Sequence, residues 1–262
     1  MSNWTSAPPT LKLPLSEPEP EPITLVEGGL VGRVQPVSDL TASERGEMFA
    51  LLGGYFEQVS RARFEADLAE KESAILLTEG ASGAVRGFST LMRMQAQVEA
   101  RRVVAFFSGD TIVARDHWGE TLLPRLWARH VFGLAEAIKE AEVYWFLISS
   151  GYKTYRFLPV FFREFYPAFD RPTPPAVKQV LDALALQKFG AEYDAGRGVV
   201  RFVQPSPLRS SVAELTGRRL RDPHVAFFVA ANSGHAEGDE LACITRIVPE
   251  NLTPAGRRML GL

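Results

Sequence analysis

The apolar positions of this chain fall into blocks whose spacing alternates between about two and about 3.6 residues. Residues 30–37 alternate and predict a first strand. Ser38, Asp39 and Thr41 then offer helix caps. Met48, Leu51, Leu52 and Phe56 follow at helical spacing, which predicts a helix over 42–56. Phe64 and Leu68 mark a short second helix over 62–71. Residues 74–78 and 85–98 read as strands joined through Gly80 and Gly83 in an antiparallel hairpin. Residues 103–113 are rich in β-branched and aromatic side chains, as a buried strand is. From Gly119 onward Leu122, Leu123, Leu126, Trp127, Val131, Leu134 and Ile138 predict a long amphipathic helix. A buried strand therefore runs almost directly into a helix start. The unpaired amides there suit an anion such as phosphate, although a plain strand-turn-helix needs no ligand.

Residues 142–148 are almost continuously apolar, as in a strand buried on both faces and reached by a right-handed crossover. Residues 152–166 are crowded with aromatic side chains. Phe157, Phe161 and Phe165 at four-residue steps predict one helical stripe, with Pro159 in its first turn or at a kink. Such a stripe serves as core or as the wall of an apolar pocket. A proline-rich break at 171–175 precedes a helix over 177–188 and a strand over 199–203. Residues 225–230 and 241–248 read as strands of a late hairpin, and 253–260 as a short terminal helix.

The proline and glutamate alternation in residues 1–24 predicts a disordered leader. A core over 25–170 and a C-terminal extension over 171–262, completing the sheet with the hairpin, follow. The fold class is α/β of the α+β kind, a mixed sheet flanked by helices. With 29 basic and 31 acidic residues, the net charge of -2 carries no nucleic-acid footprint. Cys243 is the single cysteine, so no internal disulfide can form. No apolar run approaches the roughly 20 residues of a membrane span, and no signal-peptide pattern is present, so a cytoplasmic protein is expected. The four histidines, His117, His130, His224 and His235, lack metal-type spacing, and no metal is expected. There is no nucleophile elbow, no phosphate-loop lysine motif and no dinucleotide fingerprint after Gly28 and Gly29.

This order of elements, together with the loop Asp116-His117-Trp118-Gly119-Glu120-Thr121, resembles the GNAT superfamily of acyl-CoA-dependent N-acyltransferases. The resemblance covers about residues 30–167 and the segment 225–248. In that family the fourth strand splays at its end and pairs with the pantetheine arm, and the following turn and helix start hold the pyrophosphate. The loop signature is Arg/Gln-x-x-Gly-x-Gly/Ala. Here Gly119 matches one glycine and Thr121 stands at the second small position, while Asp116 replaces the Arg or Gln. Arg115 is placed to supply the missing positive charge. The resemblance implies that Ile112, Val113, Arg115, His117, Trp118, Gly119, Glu120 and Thr121 hold the donor. That donor is acyl-CoA, or an acyl-phosphopantetheine arm on an acyl carrier protein.

The implied activity is transfer of an acyl group to a small-molecule amine. Such chemistry needs a base, a group that polarises the carbonyl and an acid for the leaving thiolate. Asp110, a carboxylate in an otherwise apolar strand, is the candidate base; its alternative is a structural cap or ion pair. Tyr155 and Tyr166 compete for the acid role. Ser108, expected on the same face as Asp110 unless a bulge at Gly109 intervenes, and Tyr152 are candidate substrate contacts. The alternative is a catalytically silent GNAT-fold module that binds an acyl thioester or a protein partner. The cluster Arg218, Arg219 and Arg221 reads as a solvated face or, less simply, an anion contact.

Overall fold

The computed structural model describes residues 23–261. The expected leader lies outside them except for Ile23 and Thr24, and Thr24 already belongs to a strand. The chain runs β1 (Thr24–Glu27), β2 (Leu30–Pro36), α1 (Ala42–Tyr55), α2 (Arg61–Ala69), β3 (Ser73–Glu79), β4 (Val85–Val98) and β5 (Arg101–Val113). It continues through α3 (Leu122–Ala137), β6 (Glu142–Ser149), α4 (Tyr152–Tyr155), α5 (Phe157–Phe161), α6 (Pro175–Phe189), β7 (Tyr193–Asp194) and β8 (Val199–Val200). It closes with α7 (Ser210–Ala213), α8 (Pro223–Ala231), β9 (Glu240–Arg246) and α9 (Pro254–Leu260).

These strands form one mixed sheet in the order β1-β2-β3-β4-β5-β6-β9-β8-β7, flanked by helices. Among the described strands only β5 and β6 pair in parallel, because α3 carries the chain back across the sheet between them. Gly28 and Gly29, both at positive φ, turn β1 back onto β2; this hairpin was absent from the sequence reading. Thr41 and Glu44 form a reciprocal capping box that sets the start of α1. The apolar stripe of α3 buries Leu122, Leu126 and Val131 completely, each stabilising by roughly 1.5–3 kcal/mol. That stripe meets Phe106, Trp145 and Leu147 on one face of the sheet. The other face is covered by α6 over Phe107, Phe146 and Ile244, and by α1 and α2 over Phe88 and Ile112.

Two expectations are corrected. Residues 225–230 form the middle of α8, not a strand, so there is no late hairpin; β9 pairs instead with β6 and β8. The Asp222 carboxylate accepts the His224 N–H at 3.0 Å and Pro223 occupies the first turn, which together start a helix. An apolar run of that length has no period that separates helix from strand. Residues 152–166 form two short helices followed by an extended segment rather than one aromatic-striped helix. Phe157 and Phe161 stack at 5.7 Å, but Phe165 packs edge-on against Tyr155. Beyond α5, Phe162 bridges to Leu252 and Tyr166 to Ile244, so their backbone bonds run across the chain. Pro167 also disfavours helix at the residue before it.

Candidate active site

The site begins where β5 and β6 separate. Their pairing runs from Val103 and Glu142 to Ser108 and Leu147 and then stops. Past that point β5 stays paired with β4 as far as Val113, while β6 stays paired with β9 as far as Ser149. A slot opens between them. A bulge on β5 sets this geometry: Thr111 opposes Ser89, yet Ser108 opposes Leu91, leaving Gly109 and Asp110 against Thr90 alone. Glycine is required there, since a Cβ on Gly109 would stand 2.5 Å from Thr90 Oγ1 and 2.7 Å from Lys71 Cε.

The bulge also separates the two residues expected to share a face. Ser108 points to the α3 side, where its hydroxyl accepts the indole N–H of Trp127 at 3.0 Å and of Trp145 at 2.9 Å. Asp110 has its charged neighbours on the α2 side instead, Arg63 and Asp67 on that helix and Lys71 just past its end. Burial, reinforced by Asp67, pushes the Asp110 carboxyl up to about 6. Glu240, at the first position of β9, joins it. Burial pushes Glu240 up to about 8, with Asp110 adding to the rise and a Ser150 hydrogen bond opposing it. Sequence reading passed over Glu240; only the antiparallel seat of β9 beside β6 brings it to the slot.

Two cavities meet at the slot. The smaller, about 330 Å³, lies between the end of β5, the loop before α3 and residues 150–154. Of the residues expected to hold the donor, Ile112, Val113, His117, Trp118, Gly119 and Glu120 line it, as does Tyr152. Gly119 adopts φ +109°, and a Cβ there would meet nothing within 4 Å. Thr121 is the residue before α3, and no side chain caps that helix. Trp118, 44% exposed, donates its indole N–H to the Val113 carbonyl at 2.8 Å, and the Tyr55 hydroxyl donates to the same oxygen. Lys153 stacks on the Trp118 ring at 3.8 Å and Arg115 lies over it at 5.6 Å. Arg115 also donates to the Ser211 hydroxyl at 2.7 Å and is outside the cavity wall. Burial, with Arg115 and Arg219 close by, holds the Lys153 ammonium below its usual range. Arg219 of the basic cluster is exposed and adds to the positive charge felt at Lys153, and Leu208, Val212 and Leu215 form part of the cavity wall. Cations crowded against one another beside an uncapped helix start make a place for an anion.

The larger cavity, about 460 Å³, shares Thr111, Leu123, Ser150, Thr154 and Phe157 with the smaller. It reaches both faces of the sheet: Asp110, Asp67, Lys188 and Glu240 line it on the α2 and α6 side, Trp127, Phe132 and Met259 on the α3 side. Neither candidate acid tyrosine lines either cavity. Tyr155 is fully buried and donates its hydroxyl to the Pro167 carbonyl at 2.9 Å. Tyr166 pairs by its backbone with Ile244, on the far side of β9 from β6. Tyr155 and Tyr166 are thus engaged in packing and backbone pairing, away from the slot. His130, buried beside Ser73 and held neutral with its pKa lowered to about 4 by burial, is a core residue. Among the described residues no cluster of three or more His, Cys, Asp or Glu is arranged to hold a metal, and no helix is long and apolar enough to cross a membrane.

No family model and no curated protein matches the chain. Solved structures with partial likeness include a protein from Enterococcus faecalis described as a probable N-acyltransferase. It shares 18% identity at TM-score 0.39, covering 51% of this chain and 33% of that one. A Trypanosoma brucei acetyltransferase matches at 19% identity and TM-score 0.36, over 55% of this chain and 97% of its own. An Escherichia coli GNAT-family N-acetyltransferase in complex with CoA matches at 18% identity and TM-score 0.35, over 54% of this chain and 71% of its own. The chain folds as a mixed α/β sheet flanked by helices, and among its described strands the one parallel pair parts beside a helix start.

Proposed function

We propose that this protein is an acyltransferase that moves an acyl group from an acyl thioester, with coenzyme A as the carrier, to an amine. The observation that carries the reading is the slot after Ser108 and Leu147, through which a cavity bordered by Lys153 and the start of α3 joins one lined by several carboxylates. The carrier's phosphates lie at the start of α3 near Lys153, Arg115 and Arg219, and its arm threads the slot. The amine enters from the side of α2, drawn by Asp67 and Asp110. Its nitrogen attacks the thioester carbonyl, the carbon–sulfur bond breaks, and the thiolate leaves.

Asp110 and Glu240 divide the proton traffic. Their environments hold the pair at about 6 and about 8, so near neutrality one carboxylate is free and the other keeps its proton. Asp110 takes the proton of the amine, and Glu240 returns one to the thiolate. In a thiol-release assay with acetyl- and octanoyl-CoA and a panel of amines, Asp110→Asn is expected to cut turnover about a hundredfold or more with little change in donor affinity. Unchanged turnover would reject the base assignment.

A second reading is favoured by one observation. Both tyrosine hydroxyls lining the smaller cavity bond to backbone carbonyls, Tyr55 to Val113 and Tyr152 to Glu214 at 3.5 Å. A module that binds the thioester without turning it over has no need of a free acid there. Donor binding without thiol release for any amine identifies that module.

A further inference from the structure

We propose that the α3-side arm of the larger cavity receives the hydrocarbon chain of the donor, which makes the preferred donor a fatty acyl thioester rather than an acetyl one. The inference rests on the acyl-transfer reading for what enters the slot; it adds where the acyl group goes and how long it is.

Polarity divides the larger cavity by face. Its ionisable side chains come from α2, α6 and the segment just after it, the β5 bulge and the start of β9, all on one side of the sheet: Asp67 and Lys188 are examples. The α3 side contributes Leu123, Ala128, Phe132, Phe162, Leu252 and Met259. The polar hydrogens of its indoles are already committed, since Trp127 and Trp145 both donate to Ser108 Oγ. That hydroxyl accepts twice and has no further lone pair to offer. Its own O–H is the one donor left on this side, so beyond a single hydroxyl the arm has no charged or strongly polar side chain to recognise a ligand. Water inside it would lack the two to four partners that hold buried water in place.

A saturated chain suits such a space, and the arm's position selects the donor over the acceptor. The amine is drawn to the opposite face by the carboxylates. The arm opens instead at the residues shared by the two cavities, Leu123, Thr154 and Phe157 among them, where the thioester passes through the slot. A two-carbon acyl group stops at that junction and leaves the arm unfilled. Each methylene added beyond it enters apolar surroundings, which corresponds to about fourfold in affinity per methylene until the arm is full.

The test is titration of the intact protein with acetyl-, butyryl-, octanoyl- and palmitoyl-CoA, followed by calorimetry and by the fluorescence of Trp127 and Trp145. The expected result is affinity rising about fourfold per methylene over the shorter chains, with an indole emission change that grows with chain length beyond the change acetyl-CoA already causes at Trp118. Ala128→Phe is expected to flatten that dependence. Ala128→Val, a milder change if the first variant does not fold, is expected to move the plateau to shorter chains. Equal affinity for acetyl- and octanoyl-CoA overturns the chain assignment and leaves acyl transfer standing. A length preference confined to the amine overturns it too and gives the arm to the acceptor. Failure of every CoA derivative to bind removes the acyl-transfer reading and this inference together.

Discussion

At the scale of single residues the site rests on two half-buried carboxylates that line the larger cavity. Asp110 was legible in the sequence because a lone charge in an apolar strand has to be explained. Glu240 was not, because its role depends on β9 lying against β6, a pairing that no local pattern encodes. The same limit applies to Tyr155: a tyrosine after a buried strand reads alike whether its hydroxyl meets a ligand or, as here, the Pro167 carbonyl. Glu240 also has a measurable effect on stability. Its folded pKa of about 8 lies above the ordinary value of 4.5, so the folded state holds the proton that the unfolded chain gives up. The associated stability is complete below about pH 4.5, declines as pH rises and is lost above about 8. Urea denaturation from pH 5 to pH 9 is expected to show this decline. Glu240→Gln is expected to reduce it and to gain on the wild type toward pH 9. Parallel stability curves for the two proteins would place Glu240 in water rather than in the cavity.

At the scale of elements, legibility followed periodicity and caps. Strand β4 and helices α1 and α9 fall within a residue or so of the expected 85–98, 42–56 and 253–260, with Thr41, one of the expected caps, starting α1. Helix α8 was misread because its residues are apolar throughout; the informative signal was the Asp222-Pro223 pair ahead of it. The β5 bulge is the element that matters most for the site. It turns Asp110 from the Ser108 face to the α2 face and opens the edge of the sheet. Gly119 then lets the chain turn into α3 with positive φ. Gly119→Val is expected to cost of order 1–3 kcal/mol in backbone strain, since no neighbour obstructs the new side chain. It is also expected to abolish CoA binding in calorimetry by filling the approach to the helix start. Wild-type affinity in a folded Gly119→Val protein would remove the phosphate assignment from this loop.

At the scale of the whole molecule, one continuous sheet carries the site. The C-terminal strands β7, β8 and β9 extend the sheet begun by the first six, and the segment between β8 and α8 walls the smaller cavity. The strand at Val199 was expected, but the wall was not readable, because it is made of isolated apolar residues such as Leu208 and Val212 in a stretch without period. The parting of β5 and β6, by contrast, was what the family resemblance implied for the strand ahead of the Gly119 loop. The account as a whole stands on that parting being the donor's seat, and a crystal structure of the protein with CoA tests it most directly. The predicted result is CoA with its phosphates beside the amides of Leu122 and Leu123 near Lys153 and its thiol between β5 and β6 past Ser108. CoA bound away from the slot, with Trp118 and Leu208 closed over the space between the strands, would contradict it.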